Sequence, residues 1–155
     1  MKKKIPQAYL YEYNSIIREN DEIYREAAKA LSLSDSAFWI LYALWEEQGA
    51  ISQSELCNTL YQPKQTVNSA LKKMERGGHV ELREMRDRRS KEVALTEKGK
   101  ALAKKTIELV FRAEEKAYLE LAEEEQERFI AIFRKYTDLL RSSMKELRGN
   151  ENTEE

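Results

Sequence analysis

Between Gly78 and Thr96 the hydrophobic pattern of this chain changes period. On either side apolar residues recur every three or four positions, the spacing of an amphipathic helix. Within it Val80 and Leu82, then Val93 and Leu95, stand between polar neighbours, which predicts two short strands. The residues joining them, Met85-Arg86-Asp87-Arg88-Arg89-Ser90-Lys91, are polar and mostly basic. One small hairpin set into a helical chain limits the fold to a mainly α class with a small β-hairpin.

The helices have local start and stop signals. The spacing of Ile16, Ile17, Ile23, Tyr24, Ala27 and Leu31 predicts a helix from about Gln7 to Leu31. Ser34 is expected to cap the next, from about Asp35 to Gln48, and Gly49 to end it. That helix has a wide apolar face (Phe38, Trp39, Leu41, Tyr42, Leu44, Trp45), so it is expected to be central. Ala50-Ile51 reads as a short extended piece. Ser52-Gln53-Ser54-Glu55 is a capping box, in which a hydroxyl and a carboxylate three residues on satisfy free amides reciprocally. A short helix to about Leu60, the connection Tyr61-Gln62-Pro63, and a helix from Lys64 to Arg76 follow, stopped by Gly77-Gly78. Beyond the hairpin, Thr96-Glu97-Lys98-Gly99 starts one long helix to about Leu121. A break at Ala122 to Glu125 precedes a last helix to about Leu147. The polar tail 149–155 is expected to be disordered.

Charge sharpens the picture. The net charge is −1, but residues 62–91 hold nine Lys and Arg against four Asp and Glu, while both ends are acidic. A polyanion responds to a local basic face, not to the chain average. Two short helices joined by a tight turn, followed by a basic hairpin, can grip double-stranded DNA in two grooves. On the second helix Val67, Ala70, Leu71 and Met74 share the inward face. Lys64, Gln65, Thr66, Asn68, Ser69 and Lys72 are left to reach base edges and phosphates. The hydroxyls of Ser52 and Ser54 suit phosphate. In the loop, Arg86, Asp87, Arg88 and Arg89 supply a second grip, with Arg89 entering the minor groove and Asp87 bracing it.

The run from Asp87 to Gly99, with its Asp-x-Arg, its strand ending in Leu95-Thr96 and its glycine at the helix start, resembles the wing signature of the MarR family of bacterial regulators. The stretch from Gln65-Thr66-Val67 through Leu71, Met74, Gly77, Gly78 and Val80 is similar to that family's recognition helix and following strand. The resemblance covers almost the whole chain; His79 departs from it, at a position often apolar or aromatic. It implies a winged helix-turn-helix over 34–98, flanked by N- and C-terminal dimerisation helices at 5–31 and 99–148. It implies a homodimeric transcriptional regulator on a pseudo-palindromic operator, a repressor released by a small aromatic or amphipathic effector. Phe38, Trp39, Tyr42 and Trp45 are the candidate lining of an effector pocket. Such a stripe is more often core than pocket, and Tyr9, Tyr11 and Tyr13 suit dimer contacts equally well.

Other readings have less support. One cysteine, Cys57, and one histidine, His79, allow no internal disulfide and leave a metal site to carboxylates, so neither cofactor nor metal is expected. Carboxylates are many, but no convergent acid–base set points to an enzyme. Cys57 as a redox sensor and His79 as a switch are weaker than structural roles. A winged helix binding RNA or protein, and a helical adaptor, are the competing functions. No apolar run approaches the ~18 residues of a membrane span. Lys2-Lys3-Lys4 is followed by no apolar signal core, so the expected location is the cytoplasm.

Overall fold

The computed structural model describes residues 7–86 and 91–149. They form seven helices and a three-stranded antiparallel sheet: α1 (Gln7–Ala30), α2 (Asp35–Glu46), β1 (Ala50–Ser52), α3 (Gln53–Leu60), α4 (Lys64–Arg76), β2 (Val80–Glu84), β3 (Lys91–Leu95), α5 (Glu97–Lys105), α6 (Ile107–Leu119) and α7 (Glu123–Gly149). The chain divides into two compact units, Met1–Val110 and Phe111–Glu155.

The first unit holds the core. Phe38, Ile40, Leu41 and Leu44 of α2 are almost wholly buried, with Leu56, Val67, Leu71, Val80, Val93 and Ile107. Helix α2 packs against α1, α3, α4 and α5, the central place that its apolar face requires. Three helix starts are held by their own hydroxyls. Ser34 accepts from Ala37 N–H, Ser52 forms the full capping box with Glu55, and Thr96 accepts from Gly99 N–H.

The sheet order is β1-β3-β2. Ala50, Ile51 and Ser52 pair with Ala94, Val93 and Glu92, and Val80 through Glu84 pair with Leu95 through Lys91. Ala94 is as buried as Val93 and Leu95, so the alternation expected for this strand is lost there: β3 is the central strand and both its faces are covered.

The single long helix expected after Thr96 is two. Thr106 leaves helical geometry, and its hydroxyl donates to Leu102 O at 2.7 Å. A threonine that back-bonds to the preceding turn loosens the ladder, and α6 restarts at Ile107.

In the second unit Tyr118 OH donates to Gln126 O, and Glu125 accepts from Ala122 N–H, which joins the end of α6 to the start of α7. None of this unit's described side chains is buried. Phe129, Ile132, Phe133, Leu139, Met144 and Leu147 of α7 are all exposed. Among the described residues no helix is long and apolar enough to cross a membrane.

Candidate nucleic-acid interface

The interface is built on α3 and α4. Val67, Leu71 and Met74 recur at helical spacing and expose at most 7% of their surface. Burying each is worth about 1.5–3 kcal/mol relative to leaving it in water, so this stripe fixes how α4 is rotated. The opposite face presents Lys64, Gln65, Thr66, Ser69 and Lys72, all exposed, and Asn68, half-buried. The structure thus brings the six residues expected on this helix onto one side of it.

Among the side chains chosen from sequence, those of Asn68, Ser69 and Ser52 have the following partners. Gln53 Nε2 donates to Asn68 Oδ1, which ties α3 to α4 and occupies the Asn68 amide oxygen. Ser69 Oγ donates to Gln65 O at 2.9 Å. Ser52 Oγ donates to Glu55 Oε2 at 2.5 Å and accepts from Glu55 N–H, so its hydroxyl is committed to the capping box and offers no proton to a phosphate. The hydrogen bonds that Ser52 Oγ and Ser52 N–H, the latter at 3.2 Å, donate to the Glu55 carboxylate lower its pKa from the ordinary carboxylate value. Ser54 is exposed in the first turn of α3. Gln53 had no local signal in the sequence, because its partner lies fifteen residues away.

Beside α4 runs a cleft of about 710 Å³, lined by Ser34, Ala37, Gln65, Thr66, Ser69 and Lys73 among others. Pro63, Ala70 and Met74 share this lining with Ala37, so the hydroxyls, the amide and the ammonium group stand on a largely apolar floor. Lys73 was missed in sequence, where it reads as one more solvated charge.

At the base of the hairpin Arg83 donates from Nε to Glu81 at 3.1 Å and approaches Glu92 at 3.8 Å across the strands. Glu84 lies opposite Lys91. Opposite charges facing across a ladder fix its register. Arg86 follows β2 and is exposed. Asp87, Arg88 and Arg89 lie outside the described residues.

The four aromatic residues considered for an effector pocket separate. Phe38 is fully buried and belongs to the core. Trp39 and Tyr42 pack in an aromatic cluster with Phe38 and Tyr24, centroids 5.1 to 6.3 Å apart. Trp45 lines a cavity of about 460 Å³ with Gln48, Gly49, Leu95, Lys100 and Lys104.

Cys57 is half-buried and unpaired. His79 holds a junction: its N–H donates to Met74 O at 2.9 Å and its carbonyl accepts from Thr96 N–H at 3.1 Å. Among the described residues no group of His, Cys, Asp and Glu could hold a metal ion.

Comparison with known proteins adds the following. Residues 31–90 match the family model described as MarR family. The HTH-type transcriptional regulator TtmR of Methylorubrum extorquens is 34% identical over 80 residues, 51% of this chain and 40% of that protein, so the match spans less than half of the curated relative. Among solved structures, NMB1585, a MarR family regulator from Neisseria meningitidis, superposes with a TM-score of 0.78 at 24% identity over 89% of this chain and 97% of that one. AbsC, a MarR family transcriptional regulator from Streptomyces coelicolor, gives 0.75 at 19% identity, covering 92% and 98%. The S. aureus MepR–DNA complex gives 0.67 at 22% identity, covering 85% and 97%. These likenesses establish a shared winged-helix fold.

Proposed function

We propose that this chain, whose residues 31–90 match the MarR family model, is a homodimeric transcriptional regulator that binds double-stranded DNA sequence-specifically and acts in the cytoplasm by binding, not catalysis. The observation that carries this reading is α4: an apolar stripe buries one face and leaves a row of Lys64, Gln65, Thr66, Ser69 and Lys72 on the other. A similar fold, that of S. aureus MepR, has been solved with DNA. In our reading α4 enters the major groove, the Asn68 amide nitrogen and Gln65 address base edges, and Lys64 and Lys72 neutralise phosphate. Ser54 takes the phosphate contact that the capping box denies to Ser52. Arg86, Asp87, Arg88 and Arg89 form the wing, with Arg89 in the minor groove.

Two copies on a pseudo-palindromic operator put their α4 helices about one DNA turn apart. Occupying a promoter in this way represses transcription. The exposed apolar residues of α1 (Tyr9, Leu10, Tyr11, Ile16, Ile23) and of α7 supply the surface for the second copy.

The test is fluorescence anisotropy with the duplex upstream of the protein's own gene, at near-physiological salt and with excess random DNA. Tight binding that survives the competitor is expected, and Arg89→Ala should weaken it about tenfold. Binding erased by random DNA counts against sequence specificity. Equal affinity for duplex RNA, whose deep major groove excludes a helix, counts against the DNA reading.

We assign the effector to the Trp45 cavity. Trp45 and Leu95 give it apolar walls, and Lys100 and Lys104 bring positive charge, which suits an anionic amphipathic molecule. Titrating such a molecule into a Trp39→Phe background should change Trp45 fluorescence and lower DNA affinity in step. A DNA affinity that does not respond sinks the assignment.

A further inference from the structure

The turn between α3 and α4 contains a residue in a backbone conformation that its own side chain disfavours. Tyr61 closes α3 in the left-handed region, at φ 50 and ψ 30. Glycine and asparagine take that region readily, but a bulky side chain there is strained, because its Cβ crowds the backbone. Ser32 and Gln48 also have positive φ, with a small and a flexible polar side chain. Tyr61 is the one aromatic residue among them, and it is 89% exposed, so packing of its side chain does little to offset the strain. The next residue shows a second uncompensated feature: Gln62 Oε1 is buried without a hydrogen-bond partner among the described residues. Two neighbouring residues of one tight turn therefore sit away from their local optimum. The left-handed turn itself serves to close α3, where Tyr61 N–H donates to Asn58 O. Asparagine or glycine would close it with less strain, so it is the exposed aromatic ring that points to a use outside the fold.

We propose that Tyr61 contacts the sugar–phosphate backbone of the duplex. The reading rests on the DNA-binding function proposed above. Tyr61 lies three residues before α4 begins, next to Lys64, Gln65 and Thr66, all exposed. With the start of α4 in the major groove, the turn that leads into it lies at the groove's edge, where a phosphate strand runs. The phenol hydroxyl donates to a phosphate oxygen, and the ring lies against the apolar face of a deoxyribose. Such a contact adds affinity without reading sequence.

The experiment uses the full chain, a mixed-sequence duplex at low salt, and two variants. Tyr61→Asn keeps the left-handed turn easily and removes the ring; Tyr61→Phe keeps the ring and removes the hydroxyl. Tyr61→Asn is expected to raise the melting temperature and lower duplex affinity roughly tenfold, and Tyr61→Phe to lower affinity roughly threefold. The slope of log affinity against log salt stays that of the wild type, because no charge is removed. A melting temperature that falls in Tyr61→Asn overturns the claim that the turn is strained for an outside purpose. Loss confined to Tyr61→Asn overturns the hydroxyl bond. Wild-type affinity in both variants overturns the inference alone, whereas a wild-type chain that binds no duplex overturns the DNA reading and this one with it.

Discussion

Gly99→Ala is expected to lower the melting temperature by roughly 10 °C, through a loss of about 3 kcal/mol. Gly99 is buried in the first turn of α5. A Cβ added there would lie 1.9 Å from His79 O and 2.9 Å from His79 C, with Leu95 Cδ2 at 3.1 Å. The obstacle is backbone, so no rotamer change relieves it. That carbonyl accepts from Thr96 N–H, and the next residue, Val80, pairs with Leu95. Relief must therefore move α5 off the sheet or part β2 from β3. Elsewhere in a helix alanine is better than glycine by about 1 kcal/mol, so the sign of the change is diagnostic. Thermal unfolding followed by circular dichroism decides it, and an unchanged or higher melting temperature would mean that α5 sits further from His79. Gly77→Ala is the useful contrast: its Cβ would meet the ring of His79, at 2.8 Å from Nδ1, and a ring can turn away.

The paired substitution Ile132→Glu and Phe133→Glu is expected to turn the proposed dimer into a monomer. Ile132 is 66% and Phe133 40% exposed, and Phe133 stacks on Phe129 with centroids 5.9 Å apart. Apolar rings kept in water call for a partner, and two new carboxylates on this face would have to be desolvated on association. Sedimentation at micromolar concentration should give about the chain mass for the variant and twice that for the wild type. Affinity for a duplex with two half-sites should fall on the order of a hundredfold or more, since two linked recognition helices become independent. The core of residues 1–110 is untouched by the change, and its melting should persist apart from the contribution of association. A variant that still sediments as a dimer would move the interface away from this face of α7.

Much of the fold was legible because its signals are local. Ser34, Ser52 with Glu55, and Thr96 announce helix starts within four residues of themselves, and the caps form as expected. The inward stripe of α4 follows from spacing alone. What escaped depends on distance or on context. The interruption at Thr106 has no glycine or proline to mark it and arises from a hydroxyl turned back on Leu102. Ala94 is small and weakly apolar, so its burial comes from its strand being central. Phe38 and Trp45 lie on the same helix, yet one fills the core and the other edges a cavity, because their neighbours differ. The Gln53–Asn68 bond joins two helices and could be found only once they were docked.

The central position of β3 has a consequence for how such a chain can diversify. On one side β3 carries the hairpin partner β2, and on the other it carries β1, whose last residue, Ser52, is also the cap of α3. The hairpin and the helix pair therefore hang from one strand and cannot be exchanged as separate modules. A chimera that imports residues 80–95 from another protein must keep the Ile51–Val93 and Leu82–Val93 pairings or lose the cap of α3 as well. The stretch between Glu84 and Lys91 holds none of these pairings, so its sequence, and with it the proposed DNA contacts, can change while the register of the sheet stays. Inheritance is thus divided between a base that resists change and a tip that is open to it.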